Sequence, residues 1–133
     1  TRSQNISFNK NESSLFKTDK LLQKIKIVDA VDFFHELSLH SIDLMKIDVE
    51  THEPEVLIGM GEYLQQFKPT MIIEVLDDKI ADRLNAILEN FDYLYFNIDD
   101  AKNSIRQVTK IEKSDYWNFL VCNELTAKKL KLK

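Results

Sequence analysis

Glycine and proline are almost missing from this chain, with two of each in 133 residues. Both glycines fall in a single stretch, "GMG" at Gly59 and Gly61. A phosphate or dinucleotide loop needs glycines directly after a strand and before a helix, where bare backbone amides meet the ligand. These two fall inside a segment with helical spacing, so they mark a kink, a close packing contact or an early helix end, and no standard cofactor loop is present. A single cysteine, Cys122, excludes an intrachain disulfide framework and makes a reducing, cytoplasmic compartment the expectation. It sits in the apolar run "FLVC", the setting of a small buried hydrophobe rather than of a catalytic thiol. No apolar run approaches the roughly 20 residues a membrane-spanning helix needs. The first residues, "TRSQNISFNKNESS", lack the apolar core of a signal peptide, and their "NIS" and "NES" are read as chance matches to the glycosylation pattern. Excess positive charge is missing too. Eighteen Lys and Arg against 22 Asp and Glu leave a net charge of -4, so no nucleic-acid partner and no membrane partner are expected. The terminal "KKLKLK" reads as a solvated helix end.

What is present is a soluble globular composition, 44% hydrophobic and 30% charged, in a length that suits one domain with a real core. Residues 1–20 are polar and aperiodic and read as an arm or loop; 21–133 read as the folded domain. There "KIKIV" (24–28) has the look of a short strand, and Asp29 with Asp32 three residues on starts a helix through "AVDFFHELSLH". "IDLMKIDV" (42–49) is the best strand of the chain. Pro54 opens a helix on which Leu57, Met60, Leu64 and Phe67 share one face. "TMIIEV" (70–75) is a strand, and Ile80, Leu84, Ile87, Leu88 and Phe91 mark an amphipathic helix. "YLYFNI", "IRQVTKI" and "YWNFLVC" follow as three β-rich segments, with a short basic helix after them. This order predicts an α/β fold with a mostly parallel sheet and an antiparallel carboxyl-terminal edge.

In such a sheet, ligands bind outside the carboxyl ends of the strands. The stretch "MKIDVETHEPEV" lies at such an end, and alternation along the strand puts Lys46, Asp48 and Glu50 on one face, opposite Met45, Ile47 and Val49. A central parallel strand is normally apolar on both faces, so three charges need a reason. One reading is a polar face near solvent, with Lys46 paired to a carboxylate. The other is a cleft in which Asp48 or Glu50 acts as general base while its partner orients a substrate hydroxyl or a metal. His52 follows in the loop, where an imidazole titrating near pH 6.5 can move protons at neutral pH. With Glu53 it brings "DVETHE" to four candidate ligands in a spacing that fits no zinc or calcium loop, so no metal is assigned. Glu74, ending the next strand, would lie beside this cluster.

The residues "IDLMKIDVETHEPEVLIGM", followed by "KPTMIIEV", closely resemble the signature of the FkbM-type methyltransferases. "SSLF" (13–16), "VDFF" (31–34) and "YWNFLVC" resemble flanking segments of that family, so the likeness spans most of 13–122. The resemblance implies a Rossmann-like methyltransferase fold and S-adenosylmethionine-dependent methyl transfer to a hydroxyl of a sugar, polyketide or similar metabolite. It places Asp48, Glu50 and His52 as catalytic groups, with Lys46, Glu53 and Glu74 touching substrate or supporting them. Thr51 stands where the family has glycine, which puts the shape of that turn in question.

The family's first strands and their glycine-rich loop have no counterpart here, so the chain reads as the carboxyl-terminal part of the usual domain. Its best strand is then an exposed sheet edge, and such edges invite pairing. An upstream polypeptide, a second copy of the chain, or "KIKIV" moved in beside it would each cover that edge. The readings that follow are the carboxyl-terminal half of an O-methyltransferase, not competent alone; a non-catalytic remnant that oligomerises or binds a partner; and a small metal-dependent hydrolase using the acids.

Overall fold

The computed structural model describes residues 28–132. The proposed polar arm at 1–20 and most of "KIKIV" lie outside them; Val28, the last residue of that segment, is in no strand. The elements run α1 (Ala30–Glu36), β1 (Leu44–Ile47), α2 (Glu53–Gly59), α3 (Glu62–Phe67), β2 (Thr70–Glu74), α4 (Asp78–Leu88), β3 (Leu94–Asp99), β4 (Ser104–Val108), β5 (Asn118–Cys122) and α5 (Glu124–Lys129). No helix among the described residues is long and apolar enough to cross a membrane.

Local chemistry sets most helix starts. The Asp29 carboxylate accepts from the Val31 N–H at 2.9 Å, Asp77 from Ile80 at 2.8 Å and Asn123 from Thr126 at 2.8 Å, each satisfying an amide that has no partner in the first turn. Pro54 stands in the first turn of α2, where its missing N–H costs nothing. The helix expected from Pro54 to Phe67 is two helices. Between them Gly61 takes φ +54°, and a Cβ there would stand 3.2 Å from Val31 Cγ2. The glycine thus ends one helix and lets α1 approach closely, and the apolar spacing runs on because both helices bury the same side.

The sheet order is β1-β2-β5-β3-β4. Of its four pairings only β1 with β2 is parallel; β2 with β5, β5 with β3 and β3 with β4 are antiparallel. The expectation of a mostly parallel sheet with the closing strands at the edge is therefore corrected. β1, β2 and β3 do run the same way, but β5 lies between β2 and β3 and reverses both contacts. Its composition explains the place: Phe119, Leu120, Val121 and Cys122 are all buried, as only an interior strand with both faces covered allows.

Register separates two faces. Ile73, Phe119 and Asn97 align on one, with Met71, Val121 and Tyr95 beside them; against it pack Phe34 of α1, Leu57 of α2, Leu64 of α3 and Leu84 and Leu88 of α4. Burying a leucine of this kind is worth about 1.5–3 kcal/mol, so this larger core carries most of the apolar stabilisation. The second face holds Ile72, Leu120, Phe96 and Cys122, packed against Ala127 of α5. Cys122 is fully buried, and that burial pushes its thiol up, away from the reactive thiolate.

Candidate functional site

β1 ends at Ile47, and the chain turns sharply before α2. Glu50 and Thr51 make the turn with φ of +52° and +75°. Left-handed backbone crowds any Cβ, and a β-branched residue most of all. Two contacts hold the turn. Glu53, 1% exposed at the start of α2, folds its carboxylate back to accept from the Val49 N–H at 3.1 Å. His52 places Nδ1 3.0 Å from the Glu50 carbonyl oxygen, which makes Nδ1 the protonated nitrogen in this contact.

The turn delivers Asp48 and Glu50 to the end of β2, where Glu74 is the last strand residue. Oxygen atoms from Asp48, Glu50 and Glu74 all lie within 4.8 Å of one another. Lys46, on the same side of β1, holds Asp48 through a 3.1 Å ion pair between Nζ and Oδ2. Both side chains are about half exposed (46% and 48%), so the pair adds at most about 1 kcal/mol and chiefly sets where Asp48 points. Partial burial pushes the Glu74 carboxyl up; Asp48, by charge and by hydrogen bond, and Glu50 push it the same way, against Lys46. A carboxyl raised in this way holds its proton more tightly than an ordinary glutamate and, once ionised, is a stronger base.

Of the residues singled out in the sequence, Lys46, Asp48, Glu50 and Glu74 come together. His52 and Glu53 do not join them: one braces the turn, and the other is spent on a backbone amide inside the fold. The four-residue ligand set of "DVETHE" is accordingly not assembled. The three acids that do meet are hard oxygen donors and can hold a divalent cation as well as a proton. Sequence reasoning missed what lies beside them. Asn118 of β5 pairs with Glu74 and gives its Nδ2 to Asp100 Oδ2 at 3.1 Å, while its Oδ1 is buried with no hydrogen-bond partner among the described residues. Asn118 opens an apolar strand, the one local signal it carried; its neighbour follows from strand order, which is not a local property.

Residues 2–95 match the model of the methyltransferase FkbM domain. The chain belongs to the FkbM methyltransferase domain family. The match takes in the acid cluster whole, from Lys46 through Glu74, and stops before β4 and β5. No curated protein and no solved structure matches the chain. FkbM membership gives the strained turn a context: at Thr51, where the family motif carries glycine, the backbone keeps a glycine-like conformation. The cofactor side is different. Gly59 lies in α2 and Gly61 serves the α2–α3 junction, so neither makes a cradle after a strand, and no described residue is assigned to cofactor binding.

Proposed function

We propose that the acidic edge is the acceptor side of an S-adenosylmethionine-dependent O-methyltransferase, acting on a hydroxyl of a sugar, polyketide or similar metabolite. The observation that carries this is the meeting of Asp48, Glu50 and Glu74 at the carboxyl ends of two adjacent parallel strands, in a chain of the FkbM family. The shared direction of β1, β2 and β3 supports a Rossmann-like sheet in which this is the ligand edge. S-adenosylmethionine would supply the methyl group; the residues of this chain have the proton to manage. A hydroxyl becomes a better nucleophile as its proton leaves, and a carboxylate with a raised pKa is a stronger base than an ordinary glutamate. Glu74 takes that proton, with Asp48, fixed by Lys46, and Glu50 orienting the hydroxyl. Alignment of the acceptor oxygen supplies the rest of the rate.

A second reading, a module that oligomerises or binds a partner polypeptide, is favoured by one observation. β1 has a strand neighbour on one side only among the described residues, and its first residue, Leu44, is 61% exposed. Calorimetric titration of the chain with S-adenosylmethionine, beside sedimentation velocity, separates the two. One-site binding by a monomer supports the enzyme; association without cofactor binding supports the module. In a methylation assay Glu74→Gln is expected to lower the rate about a hundredfold and to remove the acid limb of its pH profile. An unchanged rate would sink the assignment of Glu74.

A further inference from the structure

Two cavities of about 650 and 210 Å³ share Asn97 of β3 and Arg106 of β4 in their walls, on the sheet face that Ile73, Phe119 and Asn97 share. Arg106 aligns with Asn97, which aligns with Phe119, whereas Glu74 aligns with Asn118 one position away. Strand alternation therefore puts Arg106 on the opposite face from the acid cluster. The larger volume falls within the roughly 300–1,000 Å³ typical of small-molecule sites.

The walls of this cavity carry charge of the sign the whole chain lacks. Arg106, Lys110 and Lys113 line it with Glu112 as the sole acid, in a protein of net charge -4. Glu112 lies 3.8 Å from Lys110, which leaves two cations over. The side chains of Arg106 and Lys113 have no hydrogen-bond or ion-pair partner among the described residues. The loop that bears the lysines is nevertheless fastened along its length. Ile111 is buried, with its N–H and carbonyl both bonded to the Asn85 side chain at 3.0 and 2.8 Å. The Lys113 N–H donates to Asp78 Oδ1 at 3.0 Å, and the Ser114 hydroxyl to Asn97 Oδ1 at 3.1 Å. A fastened loop with unpaired cations has already met much of the ordering cost of binding an anion. Val108 and Phe119 add an apolar wall.

We propose that this cavity binds a phosphate monoester with an apolar or aromatic body, its phosphate on Arg106 and Lys113 and its body against Val108 and Phe119. A guanidinium matches phosphate oxygens with a planar fork, and two uncompensated cations match the roughly -1.5 to -2 charge of a monoester. A carboxylate, with half that charge, should bind more weakly.

The test is a two-dimensional amide NMR titration of the full chain with phenyl phosphate at low salt, beside benzoate and the neutral phenol. Saturable shifts at residues 106–114 are expected, with benzoate at least about fivefold weaker and phenol without effect. Arg106→Ala should weaken phenyl phosphate about tenfold or more. Arg106→Gln, which keeps the length and polarity on the strand, should do the same with an otherwise unaltered spectrum. Arg83→Ala, which removes a cation paired with Glu55 outside the cavity walls, should leave the affinity as it is. Absence of saturable shifts, a loss in Arg83→Ala equal to that in Arg106→Ala, or benzoate binding as tightly as phenyl phosphate would each overturn the proposal.

Discussion

Thr51 holds a backbone conformation, φ +75°, that costs a β-branched residue more than almost any other. Thr51→Gly is expected to raise stability by about 1 kcal/mol, the relieved strain being partly offset by glycine's larger unfolded entropy, and urea denaturation would show it as a higher midpoint. Glu74 gives a prediction in pH. Its carboxyl is raised above the ordinary glutamate value of 4.5, so the folded state holds the proton more tightly than the unfolded state. The stability this contributes is fully present below pH 4.5 and is lost as pH rises through the raised value. Glu74→Gln should therefore be the more stable protein at neutral pH, an advantage that shrinks on acidification; denaturation midpoints across that range measure it. At this scale the sequence was readable where the rule is local. Alternation with a period of two put Lys46 and Asp48 on one side, which needs no other part of the chain to decide it; Glu50 reaches the same place by another route, through the left-handed turn after β1 ends at Ile47. Glu53 was not readable, because an acid in a first helical turn ordinarily faces water. Here the turn brings the Val49 amide back over the start of α2, and the buried Glu53 carboxylate accepts from it.

Among the elements, the α2–α3 junction offers the clearest contrast. Gly61 has positive φ and a neighbour at 3.2 Å, whereas a Cβ on Gly59 would meet nothing within 4 Å. Gly61→Ala is expected to cost about 1–2 kcal/mol, and Gly59→Ala, near the end of α2, to stabilise by about 0.5 kcal/mol. Thermal melts of the two variants should shift in opposite directions. The break itself was only half legible. The scarcity of glycine flagged the place, but Leu57, Met60, Leu64 and Phe67 keep one spacing across it, because two short helices facing one core look like a single helix to a periodicity argument. Strands fared better: "IDLMKIDV" and "TMIIEV" contain β1 and β2, with β1 shorter by two residues at each end and β2 by one at its end.

In the whole molecule, strand order decides what each side chain is worth. Phe119, in the middle of the sheet, is buried against strands on both sides, while Ile105 lies on the edge strand β4 with 36% of its surface exposed. Phe119→Ala should cost about 3–5 kcal/mol, and Ile105→Ala less than about 1 kcal/mol. Had "YWNFLVC" formed an edge, the first figure would be far smaller, so chemical denaturation of the pair checks the order directly. The apolar run of that segment is a sign of an interior strand, but which strands flank it is settled by contacts distant in sequence, and no local pattern encodes them. The placement also bears on how the protein is made. Because residues 118–122 join β1–β2 to β3–β4, a nascent chain emerging from a ribosome carries two separate pieces of sheet with facing unpaired edges. They can become one sheet only after residue 122 has cleared the exit tunnel, so until then both edges stand open to a strand from another chain.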